Sequence, residues 1–293
     1  MKKIKDYLQL MKPSLSIMVV FSSIISFLLT QGSENYVDIW KMIFLLFAGG
    51  MLVTGSANAI NQVVEKDTDA LMKRTAKRPV ASGRMSVTEG WIFSIITGAL
   101  GVYILGNYFN WLAAGLAAFS LFLYAFIYTP LKKVNSIAVL VGAVPGALPC
   151  LIGWAAGDNN LLIGGWVLFA FQFFWQFPHF WAIAWVAHKD YSAAGFKLLP
   201  ADKGPTKFTA LQTVIYSLLL LPVTLLPYII GMCSYDDVKG IISIVLVLTA
   251  NVFMILRCIK LYQKMDVASA KRVMFGSYMY LPVILLALLM SKI

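Results

Sequence analysis

The sequence predicts an all-α membrane protein built as a bundle of nine transmembrane helices, and three observations predict it. Of 293 residues, 60% are hydrophobic and 13% are charged, against about 25% charged in a soluble domain. The apolar residues run in long stretches; 15–29, 43–53 and 241–256 hold no charged residue. Stretches near 20 residues match the ~30 Å hydrocarbon core of a bilayer. The basic residues, finally, segregate to one side of these stretches. A soluble bundle would need amphipathic outer helices, and no such set is found.

In chain order the spans are predicted at residues 14–31, 40–62, 89–107, 111–128, 136–156, 162–187, 209–231, 238–257 and 272–291. The start, MKKIKDYLQLMK, has the basic character of a signal peptide, but no small-x-small cleavage site follows Leu29. It reads as a retained cytoplasmic arm leading into the first helix. With the N-terminus inside, 21 of the 24 Lys and Arg residues face the cytoplasm, in the arm and four loops, and the C-terminus lies outside. Only Lys41, Lys239 and Lys292 fall on the other side. The net charge of +11 is thus a record of topology. Dispersed over five segments, it forms no nucleic-acid footprint. Cys150, Cys233 and Cys258 show neither metal-site nor disulfide spacing. No Pro/Ser-rich linker interrupts the chain, so residues 1–293 are expected to form one domain.

Two inside loops, 63–88 and 188–208, carry carboxylates that topology does not require: Glu65, Asp67, Asp69 and Asp190. In NAINQVVEKDTD, residues Asn58, Asn61, Glu65 and Asp69 lie within about 80° of one another on a helix. This stripe of two amides and two carboxylates spans roughly 16 Å, while Asp67 points elsewhere. Two close carboxylates in a low-dielectric site repel, which a divalent cation relieves. Oxygen-only ligands suit Mg²⁺, which commonly takes substrate phosphates as well. Arg74 and Arg78 follow, four residues apart, with Lys73 and Lys77 beside them, and arginine forks match phosphate oxygens. The pattern fits a diphosphate site. On spacing alone, a solvated, positive-inside loop with an acidic start is the other reading.

The sixth span repeats the end of the second. WAIAWVAHKD, residues 181–190, aligns without gaps on residues 58–67, with five of ten positions identical. Asp190 falls on Asp67 and His188 on Glu65. This suggests two related halves, with a metal site drawing Glu65 and Asp69 from one and Asp190 from the other. The same span places Gln172, Gln176 and His179 within about 60° on a helical wheel, among Phe173, Phe174, Trp175, Phe177, Phe180 and Trp181. Polar groups at membrane depth are costly and face the interior. His179 reads either as an interhelical hydrogen bond or as a ligand or proton-transfer group facing a cavity.

These residues resemble the aspartate-rich first motif of the UbiA superfamily of intramembrane prenyltransferases. More narrowly they are similar to its haem branch, the protohaem IX farnesyltransferases. The resemblance runs through NAINQVVEKDTDALMKRTAKRPVASGRMS, YTPLKKVNSIAVLVGAVPGALPCLIGWAAG, FPHFWAIAWVAHKDYSAAGFKLLP and RVMFGSYMYLP. It implies a nine-helix bundle of the UbiA type in a bacterial cytoplasmic (inner) membrane. It also implies Mg²⁺-dependent transfer of farnesyl from farnesyl diphosphate to a vinyl group of haem B, with water addition. By motif position, Asn61, Glu65 and Asp69 would be metal ligands, with Asp190 the one clear member of the second motif. Arg74, Arg78, Tyr128 and Lys132 would bind diphosphate, and Asn58 and His179 match positions tied to activity. The implied partners are the lipid bilayer, haem A synthase and cytochrome oxidase assembly proteins. Rival readings are a quinone or aromatic-acid prenyltransferase of the same fold, a transporter, and an assembly factor without activity. A transporter should hold its polar site at the midplane between broken helices; here the carboxylates crowd one face beside arginines.

Overall fold

The computed structural model of the chain describes residues 2–200 and 204–293, Lys2 by its backbone alone. Lys203, one of the cations assigned to the inside, lies outside the described residues. The helices are α1 (Lys2–Met11), α2 (Pro13–Leu29), α3 (Ile39–Val64), α4 (Lys66–Leu71), α5 (Val87–Tyr108), α6 (Trp111–Phe122), α7 (Thr129–Leu131), α8 (Ala138–Asp158), α9 (Ile163–Val186), α10 (His188–Ala193), α11 (Lys207–Ile229), α12 (Val238–Lys264) and α13 (Val267–Met290). A π-helical segment, Leu123–Tyr128, joins α6 to α7. Every predicted span overlaps a helix of its own, the fourth running from α6 on through the π-helical segment. Several helices begin where a loop Ser, Asn or Asp accepts a hydrogen bond from a first-turn N–H: Ser86 for α5, Asn110 for α6, Asp237 for α12 and Asp266 for α13.

By length and hydropathy, seven helices among the described residues can cross a membrane, or eight if the bent pair α1–α2 counts as one span. The predicted count of nine is therefore not reached by this measure. α9 is long enough but is not among the seven; its Gln172, Gln176, Pro178 and His179 lower its hydropathy.

The chain divides into two compact units, Met1–Asn160 with Lys189–Lys197, and Leu161–His188 with Leu198–Ile293. In the first, α2, α3, α5, α6 and α8 close a ring of neighbours, α2 packing on both α3 and α8. Small residues allow these approaches. A Cβ on Gly153 of α8 would collide with the Ser23 carbonyl of α2, and one on Gly101 of α5 would come within 2.8 Å of the Gly49 carbonyl of α3. Close backbones through glycine are a common way for helices to associate in lipid, where hydrophobicity does not distinguish partner from solvent. In the second unit, α9, α11, α12 and α13 close a smaller ring. There Tyr280 donates to Asn251 Oδ1 at 3.0 Å, and Asn251 Nδ2 donates to Thr224 Oγ1 at 2.9 Å.

Polarity is distributed as a bilayer demands. Ser22, Ser26, Ser56, Asn251 and Ser277 are buried, while Ile92, Ile95, Ile96, Leu218 and Ile241 are exposed. Buried polar side chains such as Ser26 and Asn251 find partners inside their own unit, and apolar ones face outward.

Candidate active site

The carboxylate stripe survives the end of its helix. α3 stops at Val64 and Glu65 is its C-cap, yet Glu65 N–H donates to Asn61 O at 3.0 Å and Asp69 N–H to Glu65 O at 2.7 Å. The four-residue register therefore carries from α3 into α4. Asn58, Asn61, Glu65 and Asp69 are all buried, while Val64, Lys66 and Asp67 are exposed, as the wheel requires.

Each carboxylate has a cation. Lys132 Nζ lies 2.5 Å from Glu65 Oε1, and both side chains are less than a tenth exposed. Arg78 Nη1 donates to both oxygens of Asp69, at 2.7 Å each. That leaves Nε and Nη2 of Arg78 with no partner among the described residues, a fork that can take a phosphate. Burial lowers the Lys132 ammonium from the ordinary lysine range, and Glu65 pulls it back up. A buried carboxylate without its cation would be strongly unfavourable, so the two pairs hold the site together without a ligand.

The π-helical segment aims the other half of the site. Tyr124 and Tyr128 lie on it with ring centroids 5.2 Å apart, and Lys132 follows α7. π-helical turns are rare and concentrate at functional sites. Lys132 Nζ sits 4.9 Å from the Tyr128 ring centroid and 5.4 Å from that of Phe196. Gly142 of α8 leaves room for the Tyr128 ring, since a Cβ there would stand 2.6 Å from it. Asn61 Nδ2 donates to Thr129 Oγ1 at 3.4 Å.

Arg74 is exposed, with Nη2 donating to Tyr191 Oη at 3.2 Å. Asp190, one residue earlier on α10, is half-buried and makes no ion pair among the described residues. Nor is any group of three or more His, Cys, Asp or Glu side chains assembled to hold a metal among them. A cation at the stripe would rest on two carboxylates and the Asn61 amide, with phosphate and water completing its sphere. That oxygen-only set fits Mg²⁺.

Asn58, expected at a position tied to activity, makes structural hydrogen bonds. Its Nδ2 donates to Met11 O and Ser16 Oγ, at 3.3 and 3.2 Å, and Gln62 Nε2 donates to Gln9 O and Leu10 O. Together they tie the α1–α2 elbow to α3. The elbow residue, Lys12, takes a left-handed conformation at φ 47°, and the charges of Arg78, Lys132, Asp69 and Glu65 all act on it. In the sequence Lys12 reads only as a topology signal; its place directly before Pro13 at a helix start is the clue to more.

Beside the stripe, inside the five-helix ring, is a cavity of about 110 Å³ lined by Leu46, Val53, Asn58, Leu121, Tyr124 and Pro149 among others. Its wall is almost wholly apolar. In the second unit, α9 runs unbroken through Pro178 and buries Gln172, Gln176 and His179. The helix breaks of the two repeated segments share one geometry: Glu65 at φ −95°, ψ 13° and Ala187 at φ −94°, ψ 12°, each followed by a six-residue helix.

The sequence profile of the UbiA prenyltransferase family matches residues 19–281. The chain belongs to that family. Its relatives include the protoheme IX farnesyltransferase of Cytophaga hutchinsonii, 43% identical over 98% of this chain and 97% of the relative. Another is that of Flavobacterium johnsoniae, 39% identical over 98% and 94%. Among solved structures, a digeranylgeranylglyceryl phosphate synthase superposes with a TM-score of 0.78 at 21% identity, covering 99% of both chains. A UbiA homolog from Archaeoglobus fulgidus bound to GPP and Mg2+ gives 0.70 at 15%, covering 97% of this chain and 99% of that one. The all-α UbiA-type membrane fold expected from the motifs is thereby shown.

Proposed function

We propose that this UbiA-family chain transfers a farnesyl group from farnesyl diphosphate to a vinyl group of haem B, giving haem O and diphosphate. The observation that carries it is the pairing of Glu65 with Lys132 and of Asp69 with Arg78 beside a cavity with an apolar wall. The names of the relatives support the acceptor.

In the reaction the allylic C–O bond breaks and its electron pair leaves with the diphosphate. A C–C bond forms to one vinyl carbon, water oxygen bonds to the other, and a proton is released. Lys132 and the free fork of Arg78 neutralise the leaving diphosphate, with Arg74 at the exposed edge. Asn61, Glu65 and Asp69 would hold Mg²⁺, with Asp190 a further ligand, and the metal supplies Lewis-acid stabilisation of that leaving group. The cavity keeps the isoprenoid chain away from water, and the Tyr124 and Tyr128 rings offer π faces to the developing allylic cation. Asn58 holds the α1–α2 elbow from the cavity wall. His179 serves the acceptor. Residues 1–293 work as one catalytic domain in a bacterial inner membrane, N-terminus in the cytoplasm and C-terminus outside, as the charge asymmetry supports. Haem A synthase or oxidase assembly proteins would receive the product.

The test is to supply purified protein with Mg²⁺, labelled farnesyl diphosphate and, separately, haem B or a quinone-type aromatic acid. Haem O by mass, lost on chelation and regained with Mg²⁺, is expected. Labelled product from the aromatic acid alone would overturn the assignment.

A further inference from the structure

The late stretch RVMFGSYMYLP marks the resemblance but has no role in the chemistry above. It lies on α13, and its Ser277 meets α9 twice. Ser277 Oγ is 2.7 Å from His179 Nδ1, and Ser277 O accepts the Trp175 indole N–H at 3.0 Å. Ser277 Oγ also lies 2.6 Å from Met274 O.

These distances settle where the protons are. A hydroxyl has one proton, and a carbonyl can only accept. At 2.6 Å from Met274 O, the Ser277 hydroxyl must donate there. It therefore accepts from His179, whose Nδ1 carries the hydrogen. A neutral imidazole protonated on Nδ1 presents a bare lone pair on Nε2. No described group bonds to Nε2, although His179 is only 7% exposed. Nε2 is not among the fully buried unpaired polar atoms of the described residues, so a ligand can reach it. Trp175 stacks on the ring at 4.8 Å and 15°, and Tyr278 meets it edge-on at 4.9 Å. The two rings flank the imidazole.

We propose that Ser277 is a positioning residue that fixes His179 as the Nδ1–H tautomer, so that Nε2 is offered as a neutral axial ligand to the iron of the haem acceptor. A hydrogen bond to the second imidazole nitrogen is the usual means of orienting a metal-binding histidine. The assignment rests on the haem-acceptor reading and adds to it the group that holds the porphyrin.

The experiment titrates haem B into the purified full-length protein in lipid nanodiscs. It compares the unmodified chain with His179→Ala, Ser277→Ala and Ser277→Thr. Absorption and resonance Raman spectra report the axial ligand. An iron–histidine signature is expected in the unmodified protein and lost in His179→Ala. Ser277→Ala should weaken haem affinity by about 10- to 100-fold and shift the iron–histidine stretch, and Ser277→Thr, which keeps the hydroxyl, should restore both. Equal helicity and thermal stability of Ser277→Ala and Ser277→Thr would separate positioning from folding. An iron–histidine signature that survives His179→Ala, or a Ser277→Ala spectrum and affinity equal to the unmodified protein's, would overturn the proposal. Haem O formation by the unmodified protein is measured in parallel. Its absence overturns the farnesyl-transfer reading, whereas the ligand comparison decides the His179–Ser277 assignment in either case.

Discussion

Lys132, at the end of the π-helical segment and α7, places its ammonium 2.5 Å from the Glu65 carboxylate at the C-cap of α3. The two side chains neutralise one another out of water, and both belong to the set expected to bind metal and diphosphate. Lys132→Met alone should therefore lower stability by on the order of 3 kcal/mol, because it strands a buried charge. The double variant Lys132→Met/Glu65→Gln should recover most of that loss while farnesyl transfer stays absent. Thermal unfolding in detergent beside a product assay checks both, and recovered activity in the double variant would remove the pair from the chemistry.

Arg78 spends one nitrogen on Asp69 and keeps two for a phosphate. Arg78→Lys retains a charge for Asp69 but has no fork. Stability should change little, and the KM for farnesyl diphosphate should rise about 10-fold. Initial rates across a substrate series separate KM from kcat; an unchanged KM would place diphosphate elsewhere.

Arg84 joins the arm to the loop. It donates to Asp6 Oδ1 and Gln9 Oε1 of α1 and to Lys77 O, each at about 3 Å. Its side chain is 41% exposed, so the ion pair contributes less than about 1 kcal/mol. Arg84→Ala should leave the melting temperature almost unchanged yet speed tryptic cleavage at Lys73 or Lys77. Timed proteolysis followed by mass spectrometry reads this, and unaltered cleavage would show that other contacts order the loop.

Gly153 and Gly115 make a controlled pair. A Cβ on Gly153 meets the Ser23 backbone, whereas one on Gly115 of α6 meets nothing within 4 Å. Gly153→Leu should abolish accumulation of folded protein and Gly115→Leu should not. Fluorescence-detected size-exclusion chromatography distinguishes them; a folded Gly153→Leu protein would mean that α2 and α8 can separate without loss.

Features that depend on local repetition are legible in the sequence. Long apolar stretches placed the helices, because a helix in lipid must satisfy its own backbone and needs a set length. The four-residue spacing of Asn61, Glu65 and Asp69 placed them on one face, because helical register is local. Even the hydrogen bonds across the α3–α4 break keep that register. Which distant groups meet depends on the folded chain. Nothing in the spacing of residues 65 and 132 says that Lys132 pairs with Glu65, since that depends on a π-helical segment and on Gly142 giving way to Tyr128. Nor does it say that Arg78 closes on Asp69 instead of standing free. Asn58 reads in the sequence as part of the chemistry, and it also holds the elbow, because its partners Met11 and Ser16 come from α1 and α2. His179 stands out in the sequence as a lone membrane histidine, but its hydrogen-bond partner is Ser277, 98 residues away. Proton position follows from who is within hydrogen-bond reach, and folding alone makes that so.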